Sequence, residues 1–218
     1  MPDAVSERIS PRRAPGRRLH RVGTSGGGSH AIVASAIENF QARGYHGTSI
    51  RDIARDAGMN PASIYHHFPS KQDILQRIME GVMKEVISQT NSALVRAGKS
   101  PVEQLVALMR AWVLYHTEKR AEALVVASEL RSLDDTGHRI VVSLRDQQEG
   151  MFREVIDRGV AEGVFATAFP REAARAVINM GYSIASWYRP DGDLSPDEMA
   201  DRYAALALGT VGAVGEGA

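Results

Sequence analysis

The stretch from Thr48 to Lys71, TSIRDIARDAGMNPASIYHHFPSK, constrains the fold more than any other part of the chain. Ile50, Ile53, Ala54 and Ala57 recur at i, i+3, i+4 and i+7, the spacing of one buried helical face. Ser49 or Thr48 stands where an N-cap hydroxyl accepts a bond from an orphan N–H. Gly58 follows where the helix must stop, and without a Cβ it adopts positive φ freely. Asn60-Pro61 restarts a helix, with a capping side chain followed by proline at the first helical position. Ile64 and Phe68 then point inward at i and i+4. Ala62, Ser63, Tyr65, His66 and His67 are left for the outer face. Two short helices across a glycine turn, the second with a small, polar and aromatic surface, form a pattern that fits a DNA major groove.

The same string resembles the DNA-binding signature of the TetR family of repressors: T-S-x-R-D-I-A-x-x-A-G, then S-I-Y-H-H-F-x-S-K. The resemblance implies a DNA-contacting set of Thr48, Ser49, Arg51, Asn60, Pro61, Ala62, Ser63, Tyr65, His66, His67 and Lys71. Tyr65 and His67 match the Y-x-H whose phenol and imidazole contact phosphate. Lys71 does the same from the first turn of the next helix, where the helix N-terminus also favours an anion. The arginine at the position of Arg51 reaches a base edge or a phosphate. Three and four residues from Arg51 stand Gly47, Thr48, Ala54 and Arg55, so no carboxylate within its own helix neutralises it. Pro61, Ala62 and Ser63 are small enough to approach base edges, and His66 faces out beside them. The ordinary alternatives are a solvated arginine and histidines used for packing or capping.

The 218 residues carry 26 basic and 26 acidic side chains, a net charge of zero. For a nucleic-acid partner the distribution matters more. Residues 1–28 hold six arginines against Asp3 and Glu7, a net +4. Residues 29–75 are neutral and the remainder is acidic. Residues 1–28 are poor in apolar side chains and read as a disordered basic arm, either an idle leader or a segment that tracks the DNA backbone. Residues 29–75 read as the helix-turn-helix head, and 76–218 as a helical body for ligand binding and dimerisation. Absence of cysteine excludes disulfides and thiolate metal sites. No apolar run approaches the length of a membrane span and no signal-peptide pattern is present, so a cytoplasmic protein is expected.

The remaining punctuation predicts an all-α chain of nine helices. Helix 1 covers about 29–43, with Val33, Ile37 and Phe40 inward. Helix 4 runs from Ser70 to about Arg96 and is shared by head and body, a natural lever. Helix 5 covers 101–117, helix 6 covers 121–133, and a turn at 134–137 precedes helix 7, with Ile140, Leu144, Met151, Val155 and Ile156 inward. Helix 8 covers 170–187, with Ala173, Ala176, Val177, Met180 and Ile184 inward. Helix 9 follows the capping box Ser195-Pro-Asp-Glu198. Met and flat aromatic side chains suit an adaptable apolar cavity. The candidate ligand set is Met109, Trp112, His116, Met151, Met180 and Trp187, with His116 as a polar handle one turn from Trp112. Ordinary core packing is the competing reading for each of them.

The family resemblance implies a pocket among these helices and a homodimer through helices 8 and 9. The small residues Ala173-Ala174-x-Ala176 and Ala204-Ala205-x-Ala207 fit close helix approach, within one chain or between two. Two heads about 34–36 Å apart require a near-palindromic double-stranded operator. Ser186-Trp187-Tyr188-Arg189-Pro190, with Gly192, Leu194 and Tyr203, is similar to a TetR branch that regulates steroid and lipid catabolism, whose effectors are often acyl-CoA thioesters. The expected function is a repressor released from DNA by a small hydrophobic or acyl-CoA-type effector. The alternative is a ligand-independent DNA-binding protein or an activator of the same fold. No cofactor is expected. No nucleophile elbow, metal spacing or phosphate loop points to an enzyme.

Overall fold

The computed structural model describes residues 25–214. Among them run nine α-helices: α1 (Ser25–Arg43), α2 (Ile50–Asp56), α3 (Pro61–Tyr65), α4 (Lys71–Arg96), α5 (Pro101–Glu118), α6 (Arg120–Ser128), α7 (Asp135–Ala161), α8 (Pro170–Trp187) and α9 (Pro196–Val211). A 3-10 turn, Leu130–Ser132, lies between α6 and α7. One isolated bridge pairs Phe165 with Ala213. The basic arm expected over 1–28 lies outside the described residues as far as position 24. Positions 25–28 belong to the first turn of α1, which begins four residues earlier than its glycines suggest.

The head is built as its local signals dictate. Ser49 caps α2, accepting from Asp52 N, and Asp52 returns the bond in a capping box. Gly58 takes φ +65°. Asn60 caps α3 with Pro61 at the first position. Ile53, Ala54, Ile64 and Phe68 are buried, as their spacing requires. The face of α1 is rotated from the expected one. Ile32, Ser35, Ala36, Asn39 and Phe40 are buried, whereas Val33 and Ile37 stay partly exposed on the flank toward the body. The cause is polar: Ser35 Oγ donates to Ile53 O (3.0 Å) and Asn39 Nδ2 to Asp56 Oδ2 (3.0 Å), which fixes that face against α2.

α4 has 26 residues, about 39 Å at 1.5 Å per residue, and joins head to body. Ile74, Ile78, Val82 and Val86 form its buried stripe, as expected. α5 is the centre of the body, touching α4, α6, α7, α8 and α9, with α9 laid along it. Three assignments differ from the sequence reading. α6 stops at Ser128, and residues 134–137 are the cap and first turn of α7, where Asp134 Oδ1 accepts from Gly137 N. α7 buries Val141, Gln148 and Phe152, with Ile140, Leu144 and Met151 only half-buried. In α8 and α9 the small residues divide: Ala173, Ala174, Ala204 and Ala207 pack inside the chain, while Ala176 and Ala205 face out.

Candidate nucleic-acid interface and body cavity

The outer surface of the head gathers most of the expected DNA-contacting residues. Arg51, Ala62, Tyr65 and His66 are exposed, and Pro61, Ser63 and His67 are half-exposed. Tyr65 is 55% exposed, far more than a packing tyrosine needs. Arg51 makes no side-chain hydrogen bond or ion pair to another described residue. Its neighbour Arg55 is instead held by Asp52 at 3.1 Å and Asp56 at 2.9 Å. Asp52 is drawn down to about 2, first by the Ser49 hydroxyl and then by its backbone N–H. Ser49 and Asn60 are occupied as caps, Asn60 Oδ1 accepting from Ala62 N at 2.9 Å. His67 lies against α1, where a Cβ on Gly28 would stand 2.8 Å from its Nε2.

Two of the expected contact residues depart from that surface. Thr48 is buried, and its hydroxyl donates to Asn39 O (3.1 Å) and Gly44 O (2.9 Å). Lys71 Nζ donates to Tyr45 O (2.8 Å) and Thr48 O (2.7 Å) and sits 4.1 Å from the Tyr45 ring centroid. Burial holds its pKa below the usual lysine value, and Glu129 opposes that. Thr48 ties the α1–α2 loop back onto the end of α1, and Lys71 ties it to the start of α4.

The 3-10 turn docks on the same place. Glu129 accepts from Tyr45 N (3.2 Å) and from Ser132 Oγ (2.8 Å). Gln72 Nε2 donates to Ser132 O (2.6 Å), while its Oε1 accepts from Asp134 N (3.3 Å). The first turn of α4 is thus clasped by the head loop on one side and the α6–α7 connection on the other. Nothing in the sequence signalled this clasp, because its partners lie 23 to 84 residues apart.

Inside the body Trp112, His116 and Tyr182 meet edge to face, with Trp112 4.4 Å from His116 and 4.9 Å from Tyr182. With Val82, Met83, Val86, Tyr115, Ala123 and Val126 they enclose a chamber of about 10 Å³, room for a single water. His116 Nδ1 lies 2.7 Å from Trp112 O, so that nitrogen carries the proton and Nε2 is left as an acceptor. Burial pulls the imidazole down to about 4, against the opposing effect of that bond, so it is neutral at pH 7. The Tyr115 hydroxyl and Gln148 Nε2 are buried without a partner. Trp112 and His116 are therefore brought together as expected. Met109 is fully buried in the core away from the chamber. Met151 and Met180 are half-buried outside it, Met151 Sδ lying 3.9 Å from Thr90 Oγ1. Trp187 is 46% exposed and stacks on Tyr203, because α8 has turned its last residue outward. The missed wall residue Tyr115 had one signal, its place three residues after Trp112 on the apolar helix; Tyr182 had none.

Among the described residues no three His, Asp or Glu side chains gather to hold a metal ion. No described helix is long and apolar enough to cross a membrane. Residues 98–211 match the family model for the tetracyclin repressor-like C-terminal domain. Residues 32–78 match the model for bacterial regulatory proteins of the tetR family. The chain is 28% identical to the HTH-type transcriptional repressor KstR2 of Mycolicibacterium smegmatis over 182 residues, 83% of this chain and 88% of that one. Its structure is similar to a tetR-family regulatory protein from Rhodococcus RHA1, with a TM-score of 0.82, 30% identity, and coverage of 86% of this chain and 98% of the other. It is also similar to AibR in complex with isovaleryl coenzyme A and operator DNA, with a TM-score of 0.77, 26% identity, and coverage of 86% and 100%. With both the head and the greater part of the body matched, the chain belongs to the TetR family of bacterial regulatory proteins.

Proposed function

We propose that the chain is a ligand-responsive repressor that binds a near-palindromic operator as a homodimer and leaves it when an effector occupies the body. The observation that carries this reading is the double clasp on α4. One end of that helix is bonded to the DNA head through Lys71, and its middle lines the chamber through Val82, Met83 and Val86. An effector acts only if it binds the released form better than the DNA-bound form. Arg51, Tyr65, His66 and His67 are the proposed base and phosphate contacts, with Pro61, Ala62 and Ser63 beside them. Trp187, Tyr203 and Leu206 leave an apolar patch on α8 and α9 that suits the partner chain. The effector is a small hydrophobic molecule or an acyl-CoA, the latter supported by the isovaleryl coenzyme A bound to AibR. Such a regulator works in the cytoplasm, on the nucleoid.

The smallness of the chamber favours a second reading, a DNA-binding protein that needs no effector. Recovery of DNA from a random duplex pool, followed by affinity measurements with and without candidate effectors, separates the two. Sequence-enriched DNA released by an effector supports the first reading. Enriched DNA whose affinity no effector changes supports the second. Recovery of unenriched DNA defeats both.

A further inference from the structure

We propose that the open cleft between α1, α4 and α6 is the mouth of the effector site. Its ligand is an amphipathic molecule with an apolar body and a polar end that donates hydrogen bonds and is not anionic, which selects the small-molecule effector of the proposed function over an acyl-CoA. The proposal rests on the body being a sensor.

The cleft has a volume of about 970 Å³. Its walls come from both halves of the molecule: Val33, Ala34 and Ile37 of the head on one side, and Gly81 and Val82 of α4 with Ala121 of α6 on the other. Val82 lines this cleft and the chamber alike, so the two spaces share a wall at that residue. Tyr115 lies on the chamber side, 1% exposed, with its hydroxyl unpartnered. Glu85 and Glu122, which line the cleft, both act on that phenol and push its pKa up beyond the effect of burial. A buried hydroxyl without a partner is costly, and a ligand group between Val82 and Tyr115 relieves it.

Charge sets the ligand class. Glu38, Glu85 and Glu122 face the cleft against Arg77, Lys119 and His30, and Lys119 is already turned toward Glu122 at 3.9 Å. The chamber walls carry no charged side chain. The carboxylates accept from an ammonium or a hydroxyl and repel an anion, while the Tyr115 phenol can pair with a hydroxyl as donor or acceptor. In the closed state the apolar end enters only when Val82 and Tyr115 give way. Entry wedges α1 from α6 and displaces α4 together.

The test uses the full chain and three polar probes with one body, 4-phenylbutylamine, 4-phenylbutanol and 4-phenylbutyrate, with butylbenzene as the apolar reference. Calorimetry reads affinity. Trp112 emission in a Trp187→Phe background reads arrival at the chamber, since the chain has two tryptophans. The amine and the alcohol are expected to bind about fivefold tighter than the carboxylate and to shift Trp112 emission. Gly81→Leu sets an apolar side chain at the mouth, starting from a Cβ that meets nothing within 4 Å. It is expected to weaken both probes about tenfold or more with no fall in Tm. Tyr115→Phe is expected to narrow the preference of the alcohol over butylbenzene. Tightest binding by the carboxylate overturns the ligand class. Unchanged binding in Gly81→Leu overturns the mouth, and a silent Trp112 with all three probes overturns the connection to the chamber. Probes that bind as expected yet leave DNA affinity unchanged uphold this site and defeat the sensor reading alone.

Discussion

The carboxylate of Glu129 accepts the backbone N–H of Tyr45 across 3.2 Å, the contact by which the body grips the loop leading into the DNA-facing helices. Glu129 follows α6 directly, one turn after Val126 of the chamber wall. Arg145 Nη2 in turn bonds Val126 O at 2.8 Å, tying that wall to α7. Any outward shift of α6 therefore pulls on Tyr45. Glu129→Ala is expected to leave the α2–α3 surface intact while faster amide exchange appears at Tyr45. The loss of stability is about 1–2 kcal/mol, that of a charge-assisted hydrogen bond. Hydrogen exchange and urea unfolding of the same variant check both parts. Unaltered exchange at Tyr45 means that the grip lies elsewhere.

Arg51 and Tyr65 offer a test of the DNA surface that separates specificity from affinity. Arg51 is exposed and bonded to no described residue. If it reads a base, Arg51→Ala costs about 1–3 kcal/mol on the selected operator and relaxes preference at one position. Tyr65→Phe removes only a hydroxyl at a 55% exposed site. It is expected to weaken all sequences alike, with fold stability unchanged. Competition titrations across operator variants distinguish the two patterns, and equal losses on every sequence for Arg51→Ala remove it from base reading.

Lys71 is expected to behave differently from those two. Its ammonium bonds two carbonyls and covers the Tyr45 ring. Lys71→Met keeps the stem and removes the charge. It is expected to lower folding stability by about 2 kcal/mol, in addition to any effect on DNA. A variant as stable as the parent, but weaker on DNA, restores Lys71 to the phosphate contacts.

These cases mark where the sequence was legible. Ser49 with Asp52, Asn60 with Pro61, and Ser195 with Glu198 act within three residues, so caps and helix starts could be read directly. The head fold and the pairing of Trp112 with His116 follow from helical spacing alone. Thr48 and Lys71 were assigned by motif, and a motif does not reveal that 23 residues of chain fold back to bring the Lys71 amine onto Thr48 O. Val33 and Ile37 look like core by period. They border the cleft because Ser35 and Asn39, polar but buried, took the inner face of α1. Trp187 was misplaced because hydrophobicity does not fix the direction of a side chain in the last turn of a helix.

His116 gives the fold a pH dependence with a definite sign. Its folded pKa is about 4, below the ordinary value near 6.5. The unfolded chain therefore binds more protons across that interval, and stability rises with pH there. Stability is full above about pH 6.5 and is lost as pH falls toward 4, by on the order of 3 kcal/mol. His116→Gln does not titrate, so its stability is expected to stay flatter between pH 6.5 and 4.5. Carboxylates contribute equally to both proteins and cancel in the difference. Parallel profiles in urea unfolding mean that the imidazole reaches solvent and is not sealed in the chamber.

Two helical glycines are expected to respond to alanine in opposite directions. A Cβ at Gly150 in α7 meets nothing within 4 Å, so Gly150→Ala gains helix propensity of about 1 kcal/mol. A Cβ at Gly181 in α8 falls 2.0 Å from Trp112 Cδ1 and 2.3 Å from its Nε1. The indole has little freedom to retreat. Its Nε1–H donates to Ile178 O at 3.1 Å, and the rings of His116, Tyr182 and Phe152 surround it. Overpacking of this kind costs about 1–3 kcal/mol, more than the propensity gained. Gly181→Ala should therefore lower Tm where Gly150→Ala raises it. The chamber makes the result informative beyond stability. If Gly181→Ala is as stable as the parent, Trp112 has a second position, and the chamber wall it forms is adjustable.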